Sequence, residues 1–310
     1  MDDRFPDLPE STRVDRLERP AAPVPAVLDT DTYNEIDDQF AVVHALGAAG
    51  VDLRAIHAAP FDNPRSTGPG DGMERSHAEI GRLLDRTDRT VPTRRGAERF
   101  LDGAAPVESP ATEDLIRRAD AADGPLYVVA IGATTNVASA LLAAPRLVEE
   151  LVVVWLGGTP TRWEHVREFN LAQDPDAARV LLDSGVPLVR VPTLTVSELV
   201  RSTVAELRAL LSDRGPLAAF LLERFADYRG RGEAGAVWSK EIWDLAATAC
   251  LACPGAVTAD LVHSPVLSGS DRGALSWGRD PGRHLGAEAR HVDRDAVLDS
   301  FLDGLDAVSG

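Results

Sequence analysis

Cationic charge is scarce in this chain. Its 310 residues hold 49 Asp and Glu against 32 Lys and Arg, a formal net charge of −17 with a pI near 4.8. Nucleic acid and an anionic membrane surface both require a basic footprint, so neither is expected as a partner. Long apolar runs are also missing, and none approaches the roughly 18 residues of a membrane span. The first 22 residues, MDDRFPDLPESTRVDRLERPAA, are charged and Pro-containing, with no apolar signal region. The sequence therefore reads as a soluble, cytoplasmic protein with a loosely ordered N-terminal extension over 1–22. Cysteine is nearly absent. Cys250 and Cys253 form a lone C-x-x-C in LAATACLACPGAV, with no second ligand pair to complete a zinc site. A redox pair usually opens a helix after a strand, so these two read as small apolar residues buried on a helix. No Pro/Gly/Ser-rich linker and no internal repeat divides the chain, and 23–310 reads as one domain.

What the chain does hold is apolar residues in short runs. They make up 44% of the sequence, enough for a large core. VPAVLD (24–29) reads as a buried strand, 37–48 as a helix, VDLRAIHAA (51–59) as a strand and GMERSHAEIGRLLDR (72–86) as a helix. Strands follow at 125–131, 151–157 and 186–192, with helices at 135–142 and 174–185. Beyond them come helices over 203–227 and 241–252, short strands and turns over 261–292, and a closing helix at 293–308. This alternation predicts an α/β fold, a doubly wound and mostly parallel sheet with helices on both faces. Ligands of such sheets bind beyond the carboxyl ends of the strands. The loops DTDTYNEIDD, PFDNPRSTGPGDG, GATTN and GGTPTRWEHVREFN should therefore share one crevice.

The first of these loops poses an electrostatic problem, because Asp29, Asp31, Glu35, Asp37 and Asp38 place five carboxylates in ten residues. Asp37 and Asp38 alone would serve as first-turn residues of a helix. Asp29 and Asp31 sit where the strand ends, and their like charges raise one another's pKa unless a cation intervenes. A D-x-D followed closely by D-D offers hard oxygen ligands, which suits Ca²⁺ or Mg²⁺. An EF-hand is excluded, because the fifth, sixth and twelfth positions counted from Asp29 hold Tyr33, Asn34 and Phe40. The D-x-D also resembles the haloacid-dehalogenase-type Mg²⁺ phosphatases, which is the alternative reading. Tyr33 departs from that motif, and the only lysine available to it is Lys240.

A stronger resemblance is to the inosine/uridine-preferring nucleoside hydrolases. Asp29, Asp31, Asp37 and Asp38 follow the family's order of apolar strand, D-x-D, turn, D-D and apolar helix. GATTN (132–136) resembles its G-x-x-T-N, and EFN…DPDAA (168–178) its E-F-N-x-x-x-D-P-x-A-A. EIWDLAA (241–247) resembles the late helix that supplies another Asp. The resemblance implies the family's fold and a Ca²⁺-dependent enzyme of nucleoside salvage that cuts a ribonucleoside into ribose and free base. It implies Ca²⁺ held by Asp31, Asp38, Asp244 and the main-chain carbonyl of Thr135, with Asp31 as general base on a metal-bound water. Asp37, Asn170 and Asp244 would then hold ribose hydroxyls, Glu168 the 5′ end, and Asp29 would support the metal site. A homodimer or homotetramer is implied as well. Cleavage through an oxocarbenium-like sugar asks for these residue types: ligands for a cation that lowers a water's pKa, a carboxylate to take its proton, and paired acceptors and donors for hydroxyls.

Three features depart from the family's pattern. The turn TYNEI is two residues longer than the usual three, which lets Tyr33, Asn34 or Glu35 reach the sugar or base pocket. Trp243 stands where many members carry a His that helps protonate the leaving base; an indole can stack on a base but is no general acid. AAPFDN replaces a G-N pair after the second strand. His165, in the loop before Glu168, is the best-placed alternative acid, and with Tyr33, Asn34 and Trp243 it makes up the candidate base pocket. Lys240 is notable because arginine does all other basic duty, which hints at a site where a guanidinium would not fit. The competing class is a noncatalytic ribose- or metal-binding protein on the same scaffold.

Overall fold

The strand expected at 24–29 forms as β1 (Val24–Thr30), and its side chains alternate between two cores, Ala26 and Leu28 facing one and Val27 the other. In the computed structural model, which describes residues 4–18, 23–163, 165–228, 238–253, 255–269 and 274–309, β1 lies third from one edge of an eight-stranded sheet. On one side of it run β2 (Val51–Ala58) and the edge strand β3 (Thr93–Arg95). On the other run β4 (Leu126–Ala130), β5 (Leu151–Leu156), β6 (Leu188–Val191) and then the strands Leu285–Val292 and Val257–His263. Every neighbouring pair is parallel except the last, so the sheet is doubly wound and mostly parallel, as expected.

The helices in chain order are α1 (Glu10–Leu17), α2 (Asp37–Gly47), α3 (Pro69–Leu84), α4 (Pro110–Asp120), α5 (Thr135–Ala143), α6 (Phe169–Gln173), α7 (Pro175–Asp183), α8 (Val204–Leu211), α9 (Gly215–Asp227), α10 (Leu245–Ala252) and α11 (Arg294–Val308). One core packs α2, α3 and α8 to α11 on the first face, and the other packs α4, α5 and α7 on the second. α2 is buried along nearly its whole length, which explains its apolar residues on all sides. Phe40 from α2 meets Phe225 of α9 and Phe301 of α11 at ring-centroid distances of 6.3 and 5.3 Å. Truncating such a side chain to Ala costs about 3–5 kcal/mol. Gly47 lets α2 touch α11, since a Cβ there would fall 1.8 Å from the Gly304 carbonyl oxygen. The acidic pair Asp37–Asp38 thus opens a helix that the core holds rigidly.

Sequence and structure part company in three places. The segment before 23 is not loosely held where it is described: Leu8 is buried and residues 10–17 form α1. Arg13 is 2% exposed and donates from Nε to the Gly185 carbonyl (3.0 Å) and from Nη2 to the Leu8 carbonyl (2.9 Å). Glu10 accepts from the Leu285 amide at 2.9 Å. A polar sequence hid a helix that docks through one plugged guanidinium rather than an apolar stripe. β3 and α4 were also not anticipated; β3 is a polar edge strand, while α4 carries a Ser109 N-cap and Pro110 at its first position. Finally, Cys250 and Cys253 are half-buried rather than buried, with their thiols against the carbonyls of Ala246 (3.5 Å) and Ala296 (3.6 Å).

Candidate active site

The order of strands creates the site. The chain leaves β1 for β2 on one side and later returns to β4 on the other, so the loops after β1 and β4 diverge and leave a crevice between them. A cavity of about 490 Å³ opens there, a size suited to a small organic ligand. The loops after β1, β2 and β5 line it, joined by Thr193 and Leu194 after β6, Tyr228 after α9, and Trp243 and Asp244 before α10. GATTN lies behind this wall, with only Ile131 from the end of β4 reaching the cavity.

Four carboxylates converge on the cavity floor. Asp37 and Asp38 begin α2, Asp244 directly precedes α10, and carboxylate oxygens of these three lie within 4.8 Å of one another. Asp31 borders the same group and lines the cavity, and among the described residues neither of its buried oxygens has a hydrogen-bond donor. Gly132 makes room for it, since a Cβ there would stand 3.0 Å from Asp31 Cγ. Asp38 Oδ1 accepts from Thr30 Oγ1 at 2.5 Å. Asp29 lies one layer deeper and accepts from Asn136 Nδ2 at 2.7 Å, with its second oxygen unpartnered among the described residues.

Burial pushes every one of these groups toward protonation. It raises Asp29 to about 7. Asp31 is driven well up by burial and then by the charges of Asp38 and Asp37, and Asp244 by burial and then by Asp37, Asp38 and Asp31. Asp38 rises by burial and the Asp37 charge. Asp37 rises only to about 6, because the Lys240 ammonium offsets part of the burial cost. Buried like charges at this spacing are stable only when protonated or when they share a cation. The orphaned Asp31 oxygens and an all-oxygen donor set fit a hard divalent cation, and fit a thiophilic one poorly.

The motif EFN…DPDAA forms two linked helix caps. Glu168 caps α6, its carboxylate accepting from the amides of Gly158 (2.8 Å), Leu171 (2.9 Å) and Asn170 (3.0 Å). It lines the cavity, yet most of its accepting capacity is already used on backbone. Asn170 donates from Nδ2 to the carbonyls of Leu156 (3.0 Å) and Ile131 (3.1 Å), which fixes its side chain across two strand ends beside the cavity. Asp174 caps α7 with Pro175 at the first position, accepting from the amides of Ala177 (3.0 Å) and Leu101 (2.9 Å). Thr135 opens α5 and its hydroxyl donates to that same Asp174 at 2.7 Å.

The four candidate base-pocket residues divide evenly. Asn34 and Trp243 line the cavity. Tyr33 instead turns onto α3, where the Arg75 guanidinium stands 5.7 Å from its ring centroid. His165 is exposed and its ring packs against Trp163 at 5.8 Å, outside the cavity wall. Residues that sequence reasoning passed over take their place: Asn63 and Arg65 from the loop after β2, and Thr193 and Leu194. Asn63 Nδ2 donates to Asn34 Oδ1 at 2.6 Å, so the AAPFDN segment that departs from the family's pattern still contributes an amide here.

Known proteins share both the fold and the sequence pattern. The chain is 28% identical over 233 residues to the pyrimidine-specific ribonucleoside hydrolase RihA of Enterobacter sp. (strain 638), an alignment covering 66% of this chain and 72% of that one. Among solved structures, a purine-preferring ribonucleoside hydrolase from Gardnerella vaginalis superposes with a TM-score of 0.69 at 22% identity, covering 91% of this chain and 98% of that one. The inosine-uridine preferring nucleoside hydrolase from Bacillus anthracis gives 0.71 at 15% identity, covering 92% and 100%. The family model of the inosine-uridine preferring nucleoside hydrolases matches residues 26–299. That match runs from β1 into α11 and takes in every carboxylate of the cavity floor, and by it this chain belongs to the inosine-uridine preferring nucleoside hydrolase family and is an N-ribohydrolase.

Proposed function

We propose that this enzyme hydrolyses the N-glycosidic bond of a ribonucleoside in a Ca²⁺-dependent reaction, with Asp31 as the general base. The observation that carries the reading is the pair of buried, unpartnered Asp31 oxygens beside the Asp37–Asp38–Asp244 cluster at the cavity floor. Asp31, Asp38 and Asp244 hold the cation in this reading, with the main-chain carbonyl of Thr135. When bound, Ca²⁺ supplies a positive charge that lowers the pKa of the attacking water.

The chain's own residues do the rest. Asp31 takes the proton from the attacking water, since its oxygens have no other donor among the described residues. Asp37 and the Oδ1 of Asn170 accept from ribose hydroxyls, with Asp244 shared between sugar and cation. Glu168 faces the 5′ end. Its three amide donors hold that carboxylate in one orientation, which favours positioning over proton transfer. The ring of Trp243 stacks on the base. In the same reading the enzyme acts in nucleoside salvage in the cytoplasm and assembles as a homodimer or homotetramer. The phosphatase alternative gains nothing, because Lys240, the lysine it would need, is paired with Glu35 at 2.5 Å.

The test is product analysis on a panel of purine and pyrimidine ribonucleosides with Ca²⁺ present. Ribose and free base in equal amounts are expected from at least one of them. Phosphate released from phosphoesters, or tight nucleoside binding with no ribose from any substrate, contradicts the reading; the second outcome leaves a binding protein on the same scaffold.

A further inference from the structure

The chain's single lysine meets a glutamate of its longer first loop beside the cavity. Lys240 Nζ donates to Glu35 Oε2 at 2.5 Å across 205 positions of sequence, and Tyr228 Oη donates to Glu35 Oε1 at 2.9 Å. Lys240 is 8% exposed and donates again to the Glu241 carbonyl at 3.1 Å. Its ammonium stands 5.3 Å from the Tyr228 ring centroid and 5.6 Å from that of Trp243. Three donors radiating from one compact atom suit this space, whereas a planar guanidinium would have to displace a ring.

Each end of this contact is anchored independently. The Lys240–Glu241 backbone pairs with Arg201–Ser202, and the Ile242 amide donates to the Val200 carbonyl at 2.7 Å. The turn carrying Glu35 is tied on its other flank by Asn63 Nδ2 to Asn34 Oδ1 (2.6 Å), and at its root by the Asn34 amide to the Asp31 carbonyl (2.7 Å). The longer turn therefore spans the cavity, fastened to the loop after β2 at one end and to the segment before α10 at the other. Asp37 follows Glu35 by two residues, and Trp243 and Asp244 follow Lys240 by three and four.

We propose that Glu35 and Lys240 are positioning residues for the hydrolysis: their ion pair latches residues 32–36 to residues 240–244 and fixes the span over which Asp37 and Trp243 grip one substrate. The inference rests on the ribonucleoside reading above for its substrate and on geometry alone for the latch. Neither side chain is asked to exchange a proton. A latch of this kind acts on ground state and transition state alike, so its loss appears in KM more than in kcat. A residue that merely stabilises the fold would not produce that split.

The test uses the full-length Ca²⁺-loaded protein with Lys240→Met, Glu35→Gln and the double variant. Each single change is expected to raise KM for a cleaved ribonucleoside by about tenfold with kcat within about threefold, and the double to be no worse than the worse single, as for partners in one contact. Amide hydrogen exchange across residues 32–36 is expected to quicken in all three. Should Lys240→Met fail to fold, Glu35→Gln carries the same readout. Unchanged KM with unchanged exchange overturns the latch, as do two single effects that simply multiply in the double. If the wild-type protein cleaves no ribonucleoside, the functional reading fails by itself, and the exchange rates together with nucleoside dissociation constants still decide the latch.

Discussion

Asn136 donates from Nδ2 to Asp29 Oδ1 at 2.7 Å, joining the T-N of one strand end to the first Asp of another. The same amide donates to the Ala58 carbonyl (3.2 Å) and accepts from the Ala97 amide (2.8 Å), so one buried side chain ties β1, β2 and the segment after β3 behind the cavity floor. Asn136→Ala removes all three contacts, taking the side-chain partner from two acceptors and one donor in the interior. A loss of about 3 kcal/mol is expected by urea unfolding. A loss under about 1 kcal/mol would show that Asp29 is held by something else.

Ca²⁺ binding should grow more stabilising as pH rises. Without a cation, burial holds Asp29 at about 7 and Asp37 at about 6, with Asp31, Asp38 and Asp244 also well above their unfolded values. A carboxyl raised in the folded state keeps a proton that the unfolded chain sheds near 4, so its contribution to stability falls as pH climbs from there to its folded value. Buried His44, lowered to about 4, works in the opposite direction, but equally with and without Ca²⁺. The difference in Tm between Ca²⁺-loaded and chelator-treated protein should therefore be small near pH 5 and larger at pH 8. A difference that is constant or shrinks with pH contradicts cation binding at these carboxylates.

Glu168 should matter to stability as well as to substrate affinity. It accepts three backbone amides as the cap of α6, so Glu168→Ala is expected to lower stability by about 2 kcal/mol and also to raise KM. Thermal unfolding and steady-state kinetics measure the two effects separately. A change in KM alone, with Tm unaltered, would mean that these amides find water without cost.

Asp31→Asn should leave the fold intact and slow turnover by about a thousandfold. The isosteric amide removes one of the mutually repelling charges without a cavity, so Tm measured in chelator should not fall, whereas the gain in Tm on adding Ca²⁺ should shrink. Turnover within about tenfold of wild type would show that another group takes the proton.

Much of this was readable from residues because it follows from local chemistry. β1, α2 and the loop between them come from an apolar run, a turn and acidic first-turn residues, and the structure reproduces their limits closely. The D-P of DPDAA is an N-cap followed by a first-position proline, a signal of helix start that needs no tertiary knowledge. What sequence could not carry is direction. Tyr33 and His165 lie in the right loops but point away from the cavity, one onto α3 and the other onto Trp163. Lys240 stood out as a lone lysine, yet its partner Glu35 lies 205 positions away, and no periodicity connects them. The docking of α1 is hidden in the sequence for the same reason, since only the folded chain presents the Gly185 carbonyl to Arg13.

The most direct test of the account is release of reducing sugar from a ribonucleoside panel, measured before and after chelation and again after Ca²⁺ is restored. The account predicts ribose release that chelation abolishes and Ca²⁺ recovers. Release that persists undiminished in excess chelator would contradict the cation-dependent site built on Asp31, Asp38 and Asp244.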